Sequence, residues 1–478
     1  MNVTSDPAAA GLFDAVFARE PAGGGHYPGG PVADDRAWLR SLLAAEAALA
    51  RAAERAGLVP AGAGAAVTRA ADPAQFGPSE LAELARASAL TGNPVPGLAR
   101  VLARKVGGTA PAAVGAVHFG ATSQDIMDTA AMLLARDALG AAAADLTAAA
   151  DSVARLAAEH RHTLMLGRTL LQQAVPVTFG LVAAGWLAGL DSAVEWLGLV
   201  RDTRLAVQFG GAAGTLASLG ADGARVRSLL AAELGLTDPP LPWHTERLRV
   251  IDVGTVAARG CAALSKIARD VTLLAQTEVG EVAEGPGDAG GGSGAPRRGG
   301  SSAMPNKSNP VAAVAILGCA KQAPGLLATL VACAEQEYQR AAGAWHAEWQ
   351  PYSQLLRLSV SAAAWSRDLL SNLQVDRARM AANLAGAGAL PLAERVSALL
   401  GDSLGPLRAH DLVAAAAIRS AASGVPFRDA LLATPEIEDR LAQAGIGPGQ
   451  LEEALDPAGY LGAADGFITA ALAARKPG

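Results

Sequence analysis

The chain carries only five lysines, Lys105, Lys266, Lys307, Lys321 and Lys476, within a total of 39 Lys plus Arg. Arginine supplies nearly all the positive charge, so a lysine is an unusual choice at any position. Lys307 sits in Gly300-Ser301-Ser302-Ala303-Met304-Pro305-Asn306-Lys307-Ser308-Asn309-Pro310, where hydroxyls, amides and one cation lie side by side. Such a set suits an anion. Hydroxyls and amides donate neutral hydrogen bonds to carboxylate oxygens, and an ammonium is a compact charge for developing negative charge. A serine hydroxyl is a poor base at neutral pH. It serves as one only as an alkoxide, held by N–H groups and a cation in a dry site. Taken alone, a Ser-Ser pair reads as a helix cap.

These residues need a frame to position them. The stretch before them, Gly285 to Gly300, is half glycine. It cannot bury apolar area and is expected to be mobile, either as a passive linker or as a loop that closes over a bound anion and expels water. Elsewhere the 478 residues are 51% hydrophobic, with alanine dominant, and only 4% aromatic. That composition favours helix over strand and predicts an all-α protein of about three folding units. The expected divisions are 1–110, a helical N-terminal domain; 111–370, a bundle of long helices; and 371–478, a smaller helical domain. A helix is expected from Asp34, with Leu39, Leu42, Leu43 and Leu49 on one stripe. Others should start after Thr122, as a cap with Asp125 at the third helical position, near Pro176, and after Trp243–Arg249. The apolar run Ala174 to Leu190 is short for a membrane span and reads as a buried helix. Cys261, Cys319 and Cys333 have no paired spacing and read as reduced thiols. No leader pattern stands at the N-terminus, so a cytoplasmic location is expected. The net charge is −6 without blocks of like charge, which gives no footprint for nucleic acid. No metal-ligand spacing or dinucleotide fingerprint is visible.

The segment Gly300–Pro310 resembles the GSSxMPxKxNP signature of the aspartase/fumarase superfamily at every signature position. Two more stretches follow the same family in order: His118-Phe119-Gly120-Ala121-Thr122-Ser123-Gln124-Asp125-Ile126-Met127-Asp128-Thr129, and Gly167-Arg168-Thr169 with Gln172 and Pro176. The resemblance implies a three-domain helical fold around a central long-helix bundle, a homotetramer with sites shared between subunits, and no cofactor. It implies elimination from a small dicarboxylate through a carbanion. Ser301 would be the base, with Ser302 as its fallback. Thr122, Ser123, Gln124, Thr169, Gln172 and Asn309 would be carboxylate contacts, and Lys307 the charge beside them. Asn93, in Thr91-Gly92-Asn93-Pro94, resembles a substrate-contact loop or else forms an ordinary turn. Arg247 is a candidate bidentate carboxylate ligand or a surface charge. His118, His244 and His346 are candidate acids or carboxylate contacts, or structural histidines.

Within the superfamily the chain is similar to the 3-carboxy-cis,cis-muconate cycloisomerases, through Gly167–Gln173, Gln208–Leu216, Leu241–Arg247, Gln276–Glu281, Trp345–Trp349 and Leu455–Leu461. It departs from many members at Leu170, where they carry histidine, and at Val314, where they carry the supporting glutamate. It departs from the cycloisomerase pattern at Asn306 and Ser308, where His and Arg are usual. Less positive potential suits a substrate with fewer negative groups. The related nitrosuccinate lyases fit these departures, because nitrite leaves as a stable anion and needs no general acid. The Arg, Gly and Ala bias also resembles proteins of high-GC actinobacteria, which suggests an antibiotic-biosynthesis setting. The expected function is therefore β-elimination giving fumarate, most simply from nitrosuccinate. Cycloisomerisation and a non-catalytic, crystallin-like role are the alternatives.

Overall fold

The computed structural model describes residues 12–21, 32–286, 298–300, 303–304, 307–443 and 447–475. Helices dominate, with two short two-stranded antiparallel ribbons among the described residues, so the chain is an all-α, multi-domain protein. It forms two compact units. One takes Met1–Leu146, Ser192–Ser265 and Ala315–Ser366; the other takes Thr147–Asp191, Lys266–Val314 and Arg367–Gly478. Five long helices contribute residues to both: Ser123–Glu159, Phe179–Thr203, Leu248–Leu274, Val311–Ala332 and Ala344–Ser371.

In the first unit the Asp35–Arg55 helix starts where its sequence dictates. Asp34 Oδ1 accepts the Ala37 N–H at 2.7 Å, satisfying a donor that the first turn leaves open. Leu39, Leu42, Leu43 and Leu49 are all buried. They share a core with Val67, Leu98, Leu102, Ile126 and Phe209, and each buried leucine contributes about 2 kcal/mol. Two buried residues of this helix are not apolar, Ser41 and Glu46. Glu46 is fully buried, and a buried carboxylate must find a partner.

In the second unit, β1 (Leu164–Thr169) runs antiparallel to β2 (Gln172–Thr178). This corrects the expectation of one helix near Pro176. Pro176 lies in β2 opposite Leu166, where a two-stranded ribbon has an open edge that tolerates the missing N–H. The apolar run is thus divided. Thr178 Oγ1 accepts the Leu181 N–H at 3.2 Å, the helix starts at Phe179, and Phe179, Ala183, Leu187 and Leu190 are buried. Strand β3 (Val282–Glu284) pairs with β4 (Leu373–Val375). The short C-terminal helices pack around Val396, Leu400, Val413, Phe427 and Ile437.

Among the described residues only the Val311–Ala332 helix is long and apolar enough to cross a membrane, and it carries Lys321 and Pro324. The three cysteines are free and buried. Burial pushes the Cys261 thiol up to about 12 and the Cys319 thiol up to about 11, so both behave as small apolar residues.

Candidate active site

In the first unit the segment 118–125 leads into the Ser123–Glu159 helix, and Asp125 in its first turn holds the segment in place. This buried carboxylate accepts the N–H groups of Thr122 (3.0 Å), Gly210 and Gly211 (both 2.9 Å), and it meets His244 Nε2 at 2.6 Å. Half of the expected capping box is made: the Asp125 side chain accepts the Thr122 backbone N–H, while the Thr122 hydroxyl makes no capping bond. The Thr122 and Ser123 hydroxyls are half-buried and have no hydrogen-bond partner among the described residues. His244 is buried and spent on this clamp. His346 is exposed and stacks against Trp345 and Trp349. Asn93 takes its turn role: Oδ1 accepts the Val95 N–H at 3.1 Å and starts the Val95–Thr109 helix.

Two expected substrate contacts are corrected by their burial. Arg247 has a side chain 2% exposed. Its Nε and Nη2 bond Glu348 at 3.0 and 2.6 Å, and its two Nη atoms bond Asp128 at 2.8 and 3.0 Å. Burial alone would lower the guanidinium's pKa, but the carboxylates of Asp128 and Glu348 outweigh it and raise it. Burial likewise pushes the Glu348 carboxyl up, against the pull of Arg247. Trp345 Nε1 completes Asp128 at 3.0 Å, and Gln336 Nε2 completes Glu348 at 2.8 Å. Gln124 belongs to the same core. Its amide nitrogen donates to Asp128 at 3.1 Å and to the His244 carbonyl at 2.8 Å, so no donor remains for a substrate. Both residues are thus spent on positioning the loop.

In the second unit, Gly167 sits at a bulge in β1. A Cβ there would lie 2.4 Å from the Val175 carbonyl oxygen, so only glycine allows the strands to approach. The next residue, Arg168, makes a two-pronged pair with buried Glu281 at 2.7 and 2.8 Å, and Asn383 supports Glu281 at 2.7 Å. This anchor was not singled out from sequence. Thr169 and Gln172 form the last ribbon pair and are exposed. Between them Leu170 and Leu171 have φ of +51° and +64°. A two-residue turn of that type prefers Asn-Gly, yet here both residues are leucine, 97% and 73% exposed.

The signature segment is closed at its base. Gly300 pairs with Ser308. The Asn309 N–H and Nδ2 both donate to the Gly299 carbonyl, at 2.8 and 3.0 Å, so Asn309 holds the loop shut. Glu284 accepts the N–H groups of Ala312 and Ala313 at 3.1 and 2.9 Å, at the start of the Val311–Ala332 helix. Arg298 ties Glu284 to Asp368. Lys307 is exposed and makes no ion pair with a described residue. Ser301 and Ser302 lie outside the described residues, as does Asn306. Gly299 has φ +75°, and a Cβ there would stand 2.2 Å from the Asn309 oxygen. Gly299→Ala is therefore expected to open this closure and cost about a hundredfold in turnover, because small misplacements are that expensive. Urea unfolding should change by only about 1 kcal/mol.

A family model described as "Lyase" matches residues 32–325, and one described as "Adenylosuccinate lyase C-terminus" matches residues 390–471. The chain is 45% identical to a nitrosuccinate lyase of Streptomyces davaonensis over 446 residues, covering 92% of this chain and 90% of the relative. It is 42% identical to a 3-carboxy-cis,cis-muconate cycloisomerase of Bradyrhizobium diazoefficiens, covering 91% and 93%. The crystal structure of 3-carboxy-cis,cis-muconate lactonizing enzyme from Pseudomonas putida superposes with a TM-score of 0.85 at 38% identity, covering 97% and 98%. The signature resemblances, the helical fold and these matches agree: the chain belongs to the lyase family of the aspartase/fumarase superfamily and is an enzyme of that superfamily.

Proposed function

We propose that this lyase eliminates nitrite from nitrosuccinate to give fumarate. Ser301, as an alkoxide, takes the proton on the carbon next to one carboxylate. The electron pair released forms the double bond, and the C–N bond breaks with its pair on nitrite. Thr122, Ser123, Thr169 and Gln172 donate to carboxylate oxygens, and Lys307 stabilises the carbanion's charge. Asn93 is a further carboxylate contact in this reading. Asn309, Gln124 and Arg247 hold the other groups in position. No step calls for a metal or cofactor. The observation that carries the reading is the neutral pair Asn306 and Ser308, where the cycloisomerases usually carry His and Arg: less positive charge suits a substrate with fewer negative groups. Leu170 fits it, since nitrite needs no acid, although the cycloisomerases also lack a histidine there. The likeness to nitrosuccinate lyase supports it.

The cycloisomerase relatives keep lactonisation of a 3-carboxymuconate as the second reading. The exposed, strained Leu170-Leu171 tip and the part-exposed apolar Val311–Ala332 helix favour burial against further copies of the chain, in a homotetramer with shared sites. The free cysteines fit a cytoplasmic enzyme. The domain divisions remain 1–110, 111–370 and 371–478, with the match over 390–471 supporting the last.

Nitrosuccinate, 3-carboxymuconate, aspartate, malate and argininosuccinate should be assayed side by side. Equimolar fumarate and nitrite from nitrosuccinate, at the highest kcat/KM of the set, is expected. Faster loss of muconate absorbance would overturn the reading in favour of lactonisation, and inactivity on all five would favour a non-catalytic role.

A further inference from the structure

His118 differs from the other two histidines. It adopts φ +55°, a left-handed conformation that persists only where its surroundings enforce it. The enforcing group is Glu46 from the Asp35–Arg55 helix. One oxygen of this fully buried carboxylate accepts the His118 backbone N–H at 3.0 Å, and the other meets Nδ1 at 2.7 Å. A carboxylate only accepts, so Nδ1 carries the proton. Glu46 makes no other ion pair among the described residues, and a buried carboxylate without a cation is costly. The side chain of His118 is 23% exposed, and Nε2 has no partner among the described residues. Ala121 N–H closes a turn onto the His118 carbonyl at 3.3 Å, so His118 stands one tight turn before Thr122 and Ser123, whose hydroxyls are open.

With Arg247 sealed in the core, the segment 118–125 otherwise offers only neutral donors. We propose that His118, as an imidazolium fixed by Glu46, binds a substrate carboxylate through Nε2–H beside Thr122 and Ser123, and that Glu46 is its positioning residue. This rests on the dicarboxylate lyase reading. Burial lowers the imidazole's pKa, but the hydrogen bond and charge of Glu46, with the charge of Asp125 from the Ser123–Glu159 helix, more than offset it and hold the pKa above its ordinary value. The charged form is thus complete at low pH and is lost as pH rises through that raised value, so dicarboxylate binding should weaken on the alkaline side.

The test uses the full-length enzyme and succinate, a dicarboxylate with no leaving group, by titration calorimetry at about pH 6 and about pH 9. Wild type is expected to bind at least roughly tenfold tighter at the lower pH. His118→Gln should bind equally weakly at both; it should lose stability, because it leaves the Glu46 carboxylate without a cation, and a single cooperative urea transition that starts from a native baseline shows that it folds. In turnover, His118→Gln should raise KM roughly tenfold or more and lower kcat less, and Glu46→Gln should move the alkaline KM limb to lower pH. A wild type that turns nitrosuccinate over, with His118→Gln sharing its KM and pH profile, would overturn the inference and leave the function standing. A wild type inactive on all five substrates, yet binding succinate in this His118-dependent way, would overturn the function and support the inference.

Discussion

Ser301→Ala is expected to lower kcat by about a thousandfold or more while KM moves only a few-fold. The reason lies in what the step demands. A proton beside a carboxylate is weakly acidic, so removing it needs a strong base, and water in the same place is a poor substitute. Alanine keeps the backbone, the size of the loop and every carboxylate contact, so substrate should still bind. The described residues fix the ends of the segment that carries Ser301: Gly300 pairs with Ser308, Asn309 holds Gly299, and the Lys307 N–H bonds the Met304 carbonyl at 3.0 Å. Fumarate absorbance and nitrite release measure the outcome, with Ser302→Ala, expected to stay within about tenfold of wild type, as the matched control. If Ser301→Ala keeps more than a tenth of wild-type kcat, Ser301 is not the base. If Ser302→Ala collapses instead, the neighbouring serine takes the role.

The helical architecture was legible because the Ala-Leu stripes carry it. The stripe of Asp35–Arg55 and the starts at Ser123 and Leu248 came directly from spacing and caps. Pro176 misled because proline serves equally well in a first helical turn and on an open strand edge, and only the pairing with Leu166 decides between them. At the site, open hydroxyls were readable from residue type. Arg247 and Gln124 were not, because donors look alike in sequence whether they face a ligand or a buried carboxylate. A signal was present in retrospect: Asp125, Asp128 and Glu348 lie among apolar neighbours, and acids in such places need donors. Glu46, the one charged residue among the buried positions of an alanine-leucine helix, was the same kind of signal and went unread.

Arg247→Ala is expected to be the most damaging change to folding, costing about 3–5 kcal/mol. Two carboxylates, Asp128 and Glu348, each about 97% out of water, share this one guanidinium. Removing it strands two negative charges together, and neither Trp345 nor Gln336 brings a positive charge. Arg247→Lys should recover only part of the loss, because an ammonium cannot bond both carboxylates in the two-pronged geometry seen here. The pH dependence gives the argument its sharpest check. Burial already holds the Glu348 carboxyl above its ordinary value, and without Arg247 that rise must grow. A carboxyl whose folded pKa exceeds its unfolded one binds protons more tightly in the native state, so stability increases as pH falls through the folded value. The deficit of Arg247→Ala relative to wild type should therefore narrow between about pH 8 and about pH 5. Urea midpoints across that range test it: a deficit that is small, or that widens toward acid, would mean that the carboxylates are not held charged by Arg247.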